Sequence, residues 1–165
     1  MDIDTPLVIW AAEDDVQRPL DDVNPIHDFK NQCGRVQDCA FAGPSSSSSM
    51  SAGLTPIRLV AAGTNHEISI FDYLRRDKLG QIQLDAAITS LTVSQDNLEI
   101  LVNLNQDEVW LLGLEDGVIH QKFRGIQQNQ YVIKSCFGGA TESFVVSGSE
   151  GTFDSKLAYG RSADQ

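Results

Sequence analysis

Three segments of this chain repeat one another at a nearly constant spacing: Leu59-Val60-Ala61-Ala62-Gly63-Thr64, Ile100-Leu101-Val102-Asn103-Leu104-Asn105 and Phe144-Val145-Val146-Ser147-Gly148-Ser149. They begin about 41 and then about 44 residues apart. A recurring unit of that size cannot enclose a core alone and must bury its apolar face against its own copies. The stretch Ile88 to Gly125 displays one nearly complete unit. Ile88-Thr89-Ser90-Leu91-Thr92-Val93 alternates apolar and hydroxyl residues with period two, and Ser94-Gln95-Asp96-Asn97 supplies turn chemistry. Glu99 to Leu104 is a second strand, Glu108 to Leu112 a third after the Asn105-Gln106-Asp107 turn, and Val118 to Phe123 a fourth after Glu115-Asp116-Gly117. Four short strands joined by tight turns make one antiparallel sheet.

The flanks echo this unit. Val36 to Phe41 answers Ile88 to Val93, Glu67 to Asp72 aligns with Glu108 to Gly113, and Lys78 to Leu84 forms the last strand of the earlier unit. Tyr131 to Gly139 opens a third unit, which Ser143 to Glu150 continues. Four-stranded repeats of roughly 40 to 45 residues are β-propeller blades. The expected fold is therefore all-β, an incomplete β-propeller of about three WD-repeat-like blades, each of four antiparallel strands. Phe71-Asp72 stands where WD-type blades carry Trp-Asp, and Leu112-Gly113 is a degenerate version. Ile126 occupies the place of the usual Gly-His histidine. Propellers close with about four to eight blades, so the chain reads as a fragment, a truncated gene model or a piece of a larger ring. Ile100, Val102, Phe144 and Val145 should then lack a complete partner layer, leaving the isolated chain marginal or prone to aggregate. Trp110 and Phe71 are expected in the core between blades, and Gly138, Gly139 and Gly148 where positive φ or close strand approach is needed.

Residues 1–34 read as an acidic, poorly ordered segment in which Pro6 to Trp10 could form a strand, Trp10 serving as an apolar anchor. The partial propeller spans 35–160 and 161–165 is a tail. Within the first blade, 43–54 carries five consecutive serines and reads as a flexible insertion acting as a passive linker.

Twelve basic against 23 acidic residues give a net charge of −11, which argues against nucleic acid, because phosphate binding needs clustered Lys and Arg. The compact basic group Arg75-Arg76-Asp77-Lys78 lies at a hairpin end and reads as a solvated turn rather than a patch for anionic partners. No apolar run approaches the length of a membrane span, and the acidic N-terminus lacks the features of a signal peptide. Cys33, Cys39 and Cys136 have no paired spacing, so reduced thiols and a cytoplasmic or nuclear location are expected. His27, His66 and His120 lack metal-ligand spacing, and Gly148-Ser149-Glu150-Gly151 is one residue short of a nucleophile elbow. Cys136 reads as a small buried core thiol rather than a nucleophile. No catalytic, cofactor-binding or metal residue is assigned, and no cofactor is expected.

Tyr131-Val132-Ile133-Lys134-Ser135-Cys136-Phe137-Gly138-Gly139 followed by Phe144-Val145-Val146-Ser147-Gly148-Ser149-Glu150 resembles the WD-repeat subunit of the GID/CTLH ubiquitin ligase. That family carries a Tyr-x-Ile-x-Ser-Cys-Phe-Gly-Gly run and then Ser-Gly-Ser-Glu-Asp. Arg35-Val36-Gln37 and Leu101-Val102-Asn103-Leu104 are similar to its preceding blades, so the resemblance covers roughly residues 35 to 150. It implies a non-enzymatic propeller with LisH and CTLH helical motifs ahead of it, bridging modules of a multi-subunit ligase. Such a subunit helps present substrates, including gluconeogenic enzymes in fungi, for proteasomal degradation, and its partners are other ligase subunits and possibly substrates. Two departures stand against it. The helical region is not in this chain, so its assembly role is not carried over. After Glu150, Gly151-Thr152-Phe153 intervenes before Asp154-Ser155-Lys156, and Leu157 to Arg161 replaces the family's strand and its Trp, as a mis-predicted exon boundary would do. An interaction scaffold is therefore the leading reading. A generic WD-repeat interaction module or truncated product unrelated to ubiquitination is the alternative, and a propeller enzyme the least favoured.

Overall fold

In a computed structural model, residues 7–9, 27–29, 34–43, 57–151 and 156–158 are described, and all their regular structure is strand. The first blade-like sheet joins Val36–Ala42 (β3), Arg58–Gly63 (β4), Glu67–Asp72 (β5) and Lys78–Gln83 (β6) in that order. The second joins Ile88–Val93 (β7), Glu99–Leu104 (β8), Glu108–Gly113 (β9) and Ile119–Arg124 (β10), again in sequence order. A third sheet holds Ser135–Gly138 (β11), Phe144–Ser147 (β12) and Lys156–Ala158 (β13). Every neighbouring pair is antiparallel. Val8–Ile9 (β1) pairs with His27–Asp28 (β2), so order exists inside the segment read as poorly ordered. Trp10, the acidic residues that follow it, the serine-rich insertion after Gly43, Cys33 and the 161–165 tail lie outside the described residues.

Turn residues with short polar side chains set these meanders. Asn97 and Asp107 adopt φ of 60° and 61°, a region that Asn and Asp tolerate better than most residues. Asp72, at the end of β5, is buried and accepts the Leu74 and Arg75 amides at 2.9 Å each, closing the turn into β6. At the aligned position the second sheet has Gly113, and the Asp116 carboxylate fills the space that a side chain there would occupy. From that place it accepts the Val118 amide at 3.0 Å, so the turn is rebuilt with an acid three residues later.

The two complete sheets share one apolar layer. Val60, Ala62, Ile68 and Ile70 of the first meet Ile100, Val102, Leu104, Trp110 and Leu112 of the second, as the expected placement of Trp110 requires. Leu101, Val109, Leu111 and Phe123 on the opposite face of the second sheet pack with Ile126, Phe137 and Val145. Phe71 lies on the outer face of the first sheet, where Leu7, Ile9 and Phe29 cover it. The Phe29 and Phe71 rings sit 4.7 Å apart.

Several expectations need correction here. Ile100, Val102 and Val145 are fully covered, whereas Phe144 and Val146 are exposed. The repeat alignment places Phe144 and Val146 opposite Ile100 and Val102, whose side faces the preceding sheet, yet in the third sheet Val145 faces it instead. A change of phase by one residue turns every side chain of a strand to the other face. Phe137 and Val145, opposite one another in register, fill the layer better than the smaller Cys136, which turns to solvent with Val146. Cys136 is thus not a core thiol. Of the three glycines only Gly139 takes positive φ (87°); a Cβ added at Gly148 would meet Ile133 at 3.4 Å and one at Gly138 would meet Val146 at 3.6 Å, both ordinary contacts, so neither position demands glycine.

Ile100→Ala, in the shared layer, should cost about 2–5 kcal/mol. Phe144→Ser, on the exposed face, should stay within about 0.5 kcal/mol. Guanidinium unfolding midpoints of the two variants check the contrast.

Candidate interaction face

The first strands of the three sheets, β3, β7 and β11, stand side by side, and one carboxylate ties them together. Asp38 on β3 accepts the Leu91 amide of β7 at 3.1 Å through Oδ2. The same carboxylate receives Lys134 Nζ, which enters just ahead of β11, at 3.0 and 3.2 Å. A carboxylate with two further lone pairs to satisfy suits this position, because the Leu91 amide would otherwise face the neighbouring sheet without an acceptor. Next to it, Cys39 reaches solvent, yet desolvation by surrounding protein and then the Asp38 charge push its thiol pKa up, against the opposing Lys134. That makes it a poor nucleophile.

The alternating hydroxyls of β7 have a use as well. Ser90 Oγ donates to the Ile133 carbonyl at 3.2 Å and Thr92 Oγ1 to that of Ser135 at 2.8 Å. In return Asn103 Oδ1 accepts the Ser135 amide at 3.2 Å. Hydroxyls that look like ordinary strand formers in the sequence fasten the second sheet to the third.

Between those sheets runs the loop 125–134. Its backbone is gathered by Glu150, whose carboxylate accepts the amides of Asn129, Gln130 and Tyr131 at 2.7, 2.9 and 2.8 Å. Ser149 Oγ accepts the Gln127 amide at 3.0 Å, and Asp107 that of Gln128 at 2.7 Å. Ile126, in place of the histidine, is buried as an apolar plug beneath the loop. The donated amides, that of Tyr131 foremost, hold the Glu150 carboxyl below the usual carboxylate range. The clamped loop presents Tyr131 and Val132 to solvent, 71% and 54% exposed. Gly148-Ser149-Glu150-Gly151 is therefore a loop clamp.

The histidines do not converge. His66 sits in the turn between β4 and β5, His120 lies on β10 with Nδ1 2.8 Å from buried Glu99, and His27 is on β2. Among the described residues no group of three or more His, Cys, Asp and Glu is placed to hold a metal ion. Across β9 and β10, Trp110 Nε1 and Arg124 both donate to Glu108 at 2.7 Å, and Lys122 lies 3.7 Å over the Trp110 ring. These hydrogen bonds, from Trp110 first, keep the Glu108 carboxyl acidic. What the chain offers is a rim of positioned loops and exposed apolar side chains, an arrangement suited to gripping proteins.

Asp38→Ala should strip the Leu91 amide of its acceptor, costing about 1–3 kcal/mol and its hydrogen-exchange protection. Glu150→Gln should speed exchange at 129–131 while leaving the β8 amides protected. Since the Glu150 carboxyl titrates lower when folded than when unfolded, the clamp is present at neutral pH and fades as pH falls through the folded value. The acid dependence of 129–131 exchange should vanish in Glu150→Gln.

No family model matches the chain. Individual proteins do. It is 40% identical over 95 residues to a WD repeat-containing protein of Dictyostelium discoideum, which covers 56% of this chain and 16% of that protein. It is 34% identical over 93 residues to GID complex subunit 7 of Schizosaccharomyces pombe, covering 56% and 18%. A WD repeat-containing protein 26 homolog of Arabidopsis thaliana matches at 38% over 94 residues, covering 56% and 16%. The chain thus spans less than a fifth of the length of these relatives. Fold and sequence point the same way: the four-stranded antiparallel sheets have the form of propeller blades, and over somewhat more than half its length the chain is similar in sequence to WD-repeat proteins.

Proposed function

We propose that this chain is a non-catalytic scaffold or adaptor of a multi-subunit ubiquitin ligase of the GID/CTLH type, supporting proteasome-dependent degradation of target proteins. The observation that carries this reading is the 34% identity to GID complex subunit 7, joined to the Tyr131 to Glu150 run that resembles the same family. The two ends of that run are the exposed Tyr131 of the loop and the Glu150 carboxylate that holds it, and exposed loops on a rigid scaffold commonly carry binding function, which supports this reading. Its partners in this role are other ligase subunits and substrates, and it works in the cytoplasm or nucleus without a cofactor. A second reading, a general WD-repeat interaction module outside ubiquitination, is favoured by the relatives whose names describe only the repeat.

The deciding experiment is affinity capture of the tagged 165-residue chain from its own cell extract, followed by mass spectrometry, beside a version extended to a whole ring. Ligase subunits should accompany at least the extended version, and Glu150→Gln with Tyr131→Ser should weaken their recovery. Capture of other proteins in place of ligase subunits by both versions would favour the second reading.

A further inference from the structure

We propose that the corner of the first sheet formed by Phe41, Ile57, Tyr73, Leu74, Arg75 and Arg76 docks an extended acidic segment of a partner protein that also carries apolar side chains. The inference rests on the interaction-scaffold half of the function above and not on the ligase assignment. Phe41 and Tyr73 meet edge to face with ring centroids 5.5 Å apart, and the Tyr73 amide donates to the Ile57 carbonyl at 2.8 Å. Leu74 and Arg75 follow in a turn fixed by the Asp72 carboxylate, and the Arg76 amide closes it on the Asp72 carbonyl at 2.8 Å with φ of 64°. Phe41, Leu74 and Ile57 are 55%, 57% and 36% exposed. Apolar groups held rigidly at the surface bind without the entropy cost of ordering them first.

Charge selects the occupant. Arg75 is 78% exposed and approaches Asp72 only to 3.9 Å, and Arg76 forms no ion pair among the described residues. Lys78 is committed to Glu67 at 2.7 Å and stays outside the proposal. In a chain of net charge −11, the exposed side chains of Arg75 and Arg76 beside an apolar platform are a local concentration of positive charge. Exposed Asp77 borders it in the same turn, and Glu115 of the second sheet is held at 3.2 Å by Arg58, the residue after Ile57. An acidic ligand is drawn to the arginines and turned away from Asp77. A basic turn alone is a solvated turn; the adjoining aromatic and aliphatic surface makes it a docking site.

The test titrates the full chain into fluorescein-labelled probe peptides followed by anisotropy. One probe carries Asp and Glu with Leu and Phe, a second replaces Leu and Phe by Ser, and a third replaces the acids by Lys. Only the first should saturate, and added salt should weaken it. Arg75→Glu with Arg76→Glu, or Leu74→Ser, should reduce affinity about tenfold or more. Ile119→Ser, an exposed apolar change on β10, should leave binding as it is, with unchanged circular dichroism in every variant. Equal binding of all three probes, or indifference to the corner variants, would overturn the proposal. So would self-association in sedimentation velocity that Leu74→Ser abolishes, which assigns the corner to a second copy. Peptide binding without capture of ligase subunits leaves the docking corner and removes only the ligase assignment; capture without peptide binding does the reverse.

Discussion

The second sheet is covered on both faces, and its β8 strand has no side chain facing water. β4 of the first sheet is buried along its whole length as well. A four-stranded antiparallel sheet of six-residue strands is too thin to hold a core, so its free energy lies in the layers it shares. Each large side chain in such a layer contributes about 1.5–3 kcal/mol, against a net domain stability of about 5–15 kcal/mol. A handful of residues at one interface therefore decides whether the neighbouring sheets are folded at all.

Apolar layers set distance but not angle. Direction comes from polar fastenings at the inner seam, where Asp38 holds Leu91 and Lys134 while Ser90, Thr92 and Asn103 engage the backbone around β11. Arg58 adds a fastening at the opposite end of the first sheet, donating to the Asn97 carbonyl at 3.0 Å and to Glu115 at 3.2 Å. In an acidic chain several of the scarce cations are spent on joints between strands and sheets.

Periodicity placed β7 and β8 at their observed bounds, because alternation and Asn/Asp turns act locally and leave a local trace. It could not orient the third sheet. In Ser135-Cys136-Phe137 and Phe144-Val145-Val146 no alternation of polar with apolar residues says which side faces inward, and packing against Leu101 and Phe123 decided it. Tyr131 to Ile133 look like strand residues by composition but lie in a loop gathered by Glu150. The seam was less legible still: Asp38 meets Leu91 across 53 positions and Lys134 across 96, separations that no local pattern encodes.

The turns after β5 and β9 are each tied by an acid, but by different bonds: Asp72 takes the Leu74 and Arg75 amides, while Asp116, tucked over the bare Gly113, takes that of Val118. Read column by column, position 113 scores as a lost residue; read in space, a carboxylate oxygen still lies where its side chain would be and still ties the turn, through another amide. Descent that conserves the location of an atom without conserving the position of its residue erodes linear patterns faster than it erodes architecture, so blades of this kind stay recognisable as shapes after their written hallmark has faded.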